Sequence, residues 1–195
     1  MTAGIILQAR LTSKRFPNKV LFPFHGKALI DWTIESCMRS GLPICVAIPD
    51  TKSNAGLVSY LELKYKDSKP PITVYGGWEE DVLARFIECN KHMKFDPIIR
   101  ICADSPFIEV EDIKLAMELY MKRRYFTRVN HVQIFSQKEL EYANEHDPFI
   151  GSREHVVRFM EHTVDWPQDI DRFYTELKDK SPTMSKRMEL WQKKK

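Results

Sequence analysis

The chain lacks any apolar run near the roughly 20 residues that a membrane-spanning helix needs. Its first apolar stretch covers only residues 4–7 and Arg10 follows at once, which is too short for a secretory signal core. The expectation is a cytoplasmic protein without a membrane partner. Cysteine is sparse: Cys37, Cys45, Cys89 and Cys102 form no C-x-x-C pair and lie among apolar residues. Reduced core thiols fit that pattern, and a zinc site does not. The six histidines show no metal-ligand spacing either. Charge of one sign is nearly absent in the balance, since a net +3 gives no electrostatic footprint for nucleic acid. There is no internal repeat, low-complexity segment or interdomain linker.

What remains is ordinary globular material, 43% hydrophobic and 29% charged. A length of 195 residues suits one domain with a substantial core. We expect that domain over 1–178, with a solvated basic tail over 179–195 ending in Lys193-Lys194-Lys195. Apolar runs read as buried strands at Ile5–Leu7, Ile44–Ile48, Ile72–Tyr75 and Pro97–Cys102, and Tyr125–Phe135 is strand-like. Helical spacing falls between them. Leu29, Ile30, Thr33, Ile34, Cys37 and Met38 share one face, and Gly41 and Pro43 end that helix. Further helices are expected over 54–66, from Glu79, over 110–121, 136–145, 152–161 and 167–178, with a short pattern at Met188–Trp191. Alternating strands and helices predict parallel strands joined by crossovers, hence an α/β fold with a doubly wound, mostly parallel, Rossmann-like sheet.

The stretch from Ile5 to Leu21 carries the most chemistry. A buried strand opens into a polar loop bearing Arg10, Lys14, Arg15 and Lys19, broken by Pro17 and Asn18. Open α/β sheets place anionic ligands at such strand ends. Arginine offers phosphate a planar fork and lysine a point charge. Asp104 follows another buried strand and precedes Ser105-Pro106. A lone carboxylate there suits magnesium, which keeps several waters, or equally an Asx-turn onto the proline. Asp165 precedes Pro167 and reads as a helix N-cap on spacing alone.

Five blocks, in order, resemble the sugar-activating cytidylyltransferases of the spore-coat polysaccharide type. Ala9–Lys19 is similar to A-R-x-G-S-x-R-L-P-G-K, with Thr12 and Asn18 in place of two glycines. Gly77–Phe86 resembles G-S-E-E-D-V-L-x-R-Y, and Ile99–Ile108 resembles V-R-I-T-G-D-C-P-L-I. Arg153–Val156 matches R-E-H-V, and Thr163–Ile170 resembles T-V-D-T-P-E-D-L. More distant relatives of that family activate sialic acid and 3-deoxy-manno-octulosonate. The resemblance implies a nucleotide-diphospho-sugar transferase type of fold and transfer of CMP from CTP to a sugar or sugar-acid acceptor, with Mg2+ as cofactor. It places Arg10 and Lys19 on the triphosphate, with Arg15 as a further candidate. Leu7, Gln8 and Ala9 would meet the nucleoside through backbone groups, with Gly77 bordering the base and Asp81 either beside it or simply favouring the helix start. Asp104 and Asp165 would hold the metal, and Arg153 would face the acceptor. Relatives are commonly homodimers.

The acceptor side reads as shortened between Tyr125 and Phe135 and again before Asp165. His131 and Gln133 stand where the resemblance expects acids. Two rival readings stay open. One is a nucleotide-binding module without turnover, and the other a nucleotidyltransferase with another triphosphate or acceptor.

Overall fold

The computed structural model describes residues 2–146 and Val156. The chain divides into two compact units, Met1–Met160 and Glu161–Lys195, and the described residues all belong to the first. The helices expected over 152–161 and 167–178, the Met188–Trp191 pattern and the boundary near 178 lie outside the described residues.

A six-stranded sheet organises the unit. Its strands are β1 (Thr2–Gln8), β4 (Ile44–Pro49), β5 (Ile72–Gly77), β6 (Phe95–Cys102), β7 (Thr127–Val129) and β8 (Val132–Phe135). They lie in the order β5-β4-β1-β6-β8-β7. The first four are parallel, and β8 runs antiparallel to both β6 and β7. The expected mostly parallel sheet is therefore observed. A separate two-stranded hairpin, β2 (Pro23–Phe24) with β3 (Lys27–Ala28), precedes the first helix. His25 and Gly26 take left-handed backbone at its turn, with φ of 46° and 85°.

Helices cover both faces because the central strands are apolar on both. β4 is buried along its whole length. On one face Ile5, Leu7, Val46, Ile99 and Ile101 pack under α1 (Leu29–Met38), α2 (Ala55–Tyr65) and α4 (Val110–Arg123), through Ile34, Leu61 and Ile113. On the other, Ile6, Cys45, Ala47 and Ile98 pack under α3 (Val82–Met93) and α5 (Gln137–His146), through Phe86, Leu140 and Ala143. Cys37, Cys45 and Cys89 are buried free thiols and Cys102 is partly buried, as the apolar surroundings imply. Among the described residues no helix is long and apolar enough to cross a membrane.

Two elements depart from expectation. Helix α3 begins at Val82 rather than Glu79, because the Asp81 side chain accepts from the Ala84 N–H at 2.8 Å and caps it. The run from Tyr125 to Phe135 is a hairpin, not one strand. Asn130 takes a left-handed φ of 50° and folds β8 back on β7, with Val129 paired to Val132.

A buried carboxylate joins α1 to α2. Asp31 has no exposed surface and accepts from Tyr60 Oη and Tyr65 Oη at 2.7 Å each and from Lys64 Nζ at 2.6 Å. The same side chain takes the Ala28 N–H at 3.0 Å and so fixes the start of α1.

Candidate nucleotide site at the switch point

Strand order reverses between β1 and β6, whose sequence-adjacent partners diverge to opposite sides of the sheet. The two strands end together, Gln8 in register with Cys102. The Ala103 N–H donates to the Gln8 carbonyl at 2.9 Å, and Thr33 of α1 donates its hydroxyl to the Ala103 carbonyl at 3.2 Å. These bonds bring the cationic loop after β1 beside the turn after β6. There Lys19 Nζ ion-pairs with Asp104 Oδ2, across 85 positions of sequence. Both side chains are partly exposed, at 27% and 36%. The two residues expected on phosphate and on metal are thus direct neighbours. The Asp104 carboxylate reaches the lysine, and the turn beyond it is closed by backbone, Ser105 N–H to the Cys102 carbonyl at 3.2 Å.

The loop itself is tightly held. The Leu11 carbonyl accepts from the N–H groups of both Ser13 and Asn18 at 2.9 Å. Asn18 is left-handed with φ 58°, a conformation asparagine tolerates and the reason it can stand for glycine. Thr12 is not in the left-handed region, and its hydroxyl donates to Glu79 Oε1 at 3.1 Å. The loop therefore accepts a β-branched residue and uses it to reach the β5–α3 turn.

Sequence reasoning missed Asn54. It is fully buried at the start of α2, accepts the Leu11 N–H at 2.8 Å, and donates to Thr51 Oγ1 at 2.7 Å. The only local signal was a polar residue opening a helix.

The remaining expected residues are placed unevenly. Arg10 is half-buried, whereas Lys14 and Arg15 are exposed. Leu7 and Ala9 have buried side chains. The Leu7 backbone lies in register with Val46 and Ile101, and the Ala9 N–H donates to the Ala47 carbonyl at 3.2 Å. Both are committed to the sheet. Gly77 stands where a side chain would collide, since an added Cβ would lie 2.9 Å from Arg85 Cγ and 3.1 Å from the Tyr75 ring. Trp78 is 67% exposed. It lines a cleft of about 340 Å³ with Asp50, Tyr75, Gly77, Glu79 and Glu88, whose three carboxylates disfavour phosphate. Arg153 and Asp165 lie outside the described residues.

Arg85 was also missed. It is fully buried on α3 and donates to the Trp78 and Glu79 carbonyls, fixing the turn that Thr12 meets. Burial, and then the neighbouring Arg10 charge, lower its pKa to about 10 against the opposing pull of Glu79 and Asp81. Among the described residues no cluster of three or more His, Cys, Asp or Glu side chains could hold a metal. Asp104 offers a hard, solvent-reachable oxygen where β1 and β6 end together. That donor fits magnesium, which binds through one or two carboxylates and takes its other oxygens from water and substrate phosphates.

The cytidylyltransferase family profile matches residues 4–154. The chain belongs to the cytidylyltransferase family. Among relatives of this cytidylyltransferase-family chain, MJ1063 of Methanocaldococcus jannaschii is 29% identical over 164 residues, covering 80% of this chain and 65% of that protein. The spore coat polysaccharide biosynthesis protein SpsF of Bacillus subtilis is 28% identical over 121 residues, covering 59% and 48%. The chain thus spans about half to two thirds of the length of these relatives. A cytidylyltransferase structure from Leptospira borgpetersenii superposes with a TM-score of 0.69 at 22% identity, over 83% of this chain and 71% of that one. A CMP:2-keto-3-deoxy-manno-octonic acid synthetase complexed with CTP gives 0.60 at 14% identity, over 93% and 100%. Rv0371C from Mycobacterium tuberculosis in complex with manganese gives 0.56 at 15%, over 85% and 84%. These likenesses bear out the nucleotidyltransferase type of Rossmann-like fold.

Proposed function

We propose that this chain is a magnesium-dependent cytidylyltransferase that transfers CMP from CTP to a sugar or sugar-acid acceptor. The observation that carries the reading is the meeting of Lys19 and Asp104 at the switch point, with Arg10 on the same loop. An acceptor hydroxyl attacks the α-phosphorus of CTP; its new P–O bond forms as the bond to pyrophosphate breaks, and the hydroxyl proton is released. Lys19 and Arg10 offset charge on the departing pyrophosphate. Asp104 would hold magnesium, with Asp165 as the second ligand, and the bound cation would neutralise phosphate charge. With CTP bound, Lys19 would exchange its carboxylate partner for phosphate, and Asp104 would then be available to hold the cation. The rest is positioning: Asn54 and the Leu11 carbonyl hold the loop, and Thr33 holds the Asp104 turn. The manganese complex of the related fold supports a divalent cation, and the CTP complex supports the nucleotide. The cytoplasmic location and a homodimer belong to the same proposal.

The test is pyrophosphate release by the full chain with CTP and magnesium, across sugar acids, sugar phosphates and neutral sugars. Release with one acceptor class, lost when CTP is replaced by ATP, GTP or UTP, is expected. CTP binding without release from any acceptor would reduce the chain to a nucleotide-binding module.

A further inference from the structure

Gln8, Arg100 and Gln133 form a row across three adjacent strands, β1, β6 and β8, on the sheet face covered by α3. Arg100 is in register with Ile6 on one side and Gln133 on the other. Its side chain is 92% buried, being 8% exposed, with the guanidinium 5.9 Å from the centre of the Phe86 ring. Nη2 donates to Gln8 Oε1 at 2.8 Å, and Nη1 donates to Gln133 Oε1. Nε is buried without any hydrogen-bond partner. Among the described residues no carboxylate pairs with Arg100.

That arrangement is chemically one-sided. Guanidinium has donors and no acceptor, so each amide must turn its oxygen toward Arg100 and its NH2 group away. The row therefore offers one cation and two oriented amide donors, and no negative charge. A buried cation held only by neutral groups is unfavourable unless a counter-ion reaches it. Gln8 lies one step nearer the strand ends than Arg100, level with Cys102, and both Gln8 and Cys102 are partly exposed there. Gln8 thus carries the row to the strand ends, where the turn bearing Asp104 begins. His131, the other position where an acid was expected, is exposed at the tip of the β7–β8 turn and takes no part.

We infer that the Gln8–Arg100–Gln133 row is the specificity element that receives an anionic group, carboxylate or phosphate, of the acceptor. The inference rests on the cytidylyltransferase reading and assigns residues to its acceptor half. Gln133 sets the preference, because a glutamate in its place would satisfy Arg100 internally and leave no charge for the ligand.

Thermal shift on the full chain tests this without requiring turnover. CTP and magnesium are held constant, and 2-keto-3-deoxy-manno-octonic acid, glucose 1-phosphate or glucose is titrated. The expected result is stabilisation by an anionic compound and none by glucose, and which anion acts separates carboxylate from phosphate. Gln133→Glu, which keeps Arg100 and the strand pairing, should weaken the anion about tenfold or more while preserving the CTP shift. Arg100→Gln should do the same. No anion response in the wild-type protein, or a Gln133→Glu response within about twofold of it, overturns the inference. Absence of a CTP shift is a separate outcome and overturns the nucleotide reading instead.

Discussion

At the scale of single residues, Asp104 and Asp31 are both paired carboxylates but answer to different forces. Asp104 shares a partly exposed ion pair with Lys19, and such pairs contribute only about 0–1 kcal/mol to stability. Asp104→Asn should therefore leave the melting temperature nearly unchanged while lowering turnover by roughly a hundredfold or more, because it removes the charge that would hold the cation. A variant that unfolds would return Asp104 to a structural role in its turn. Asp31 is the reverse case. Burial pushes its carboxyl up, but hydrogen bonds from Lys64, Tyr60 and Tyr65 outweigh this and hold it below the usual carboxylate value. A depressed folded pKa means the stabilisation is fully present above the unfolded value of about 4 and is lost as pH falls through the folded one. Asp31→Asn should cost about 3 kcal/mol in urea unfolding at neutral pH, with the gap to wild type closing below about pH 4. An equal gap at both pH values would remove the ionised carboxylate from the account.

At the scale of elements, the β5–α3 turn shows how a glycine, a cap and a buried arginine depend on one another. Gly77 leaves room for the Arg85 stem, Asp81 starts α3, and α3 carries Arg85 back beneath the Trp78 and Glu79 carbonyls. Gly77→Ala would place a methyl against the fully buried Arg85 stem and the partly buried Tyr75 ring. A loss of about 1–3 kcal/mol is expected by chemical denaturation. Because Glu79 receives the Thr12 hydroxyl, the same change should also weaken CTP binding in a titration. Unchanged stability would show that the turn relaxes freely. The motif around Gly77 was legible in sequence, but the reason for its arginine was not. Gly77 and Arg85, eight positions apart, come into contact only when α3 folds over β5.

At the scale of the whole molecule, the site is a property of strand order. Loops after β1 and β6 meet because those strands are neighbours, although α1, α2 and α3 separate them along the chain. A ligand that bridges both loops should stabilise the entire unit. Binding to the native state alone raises stability by about 2.7 kcal/mol at a hundredfold excess over the dissociation constant. Millimolar CTP should therefore raise the melting temperature, and more so with magnesium present. No shift would remove cytidine as the nucleotide.

The chain by itself determined the class of fold, since alternating apolar strands and amphipathic helices leave few alternatives to a doubly wound sheet. It also determined which loops carry the cations and the lone carboxylate, because those residue types stand out against apolar strands. Asn18 was readable as a glycine substitute because backbone conformation is a local property. Only tertiary structure decided the rest. Lys19 and Asp104 become a pair, Asn54 becomes the anchor of Leu11, and Arg100 gains two neutral amide partners through contacts between distant segments. The β7–β8 hairpin was hidden for a related reason: Tyr125–Phe135 reads as one strand-like segment in sequence, and the left-handed Asn130 that divides it shows only in the fold, where β8 pairs with both β7 and β6. Hydrophobic pattern reports what is buried, whereas the identity of a polar side chain's partner depends on which strands the fold sets side by side.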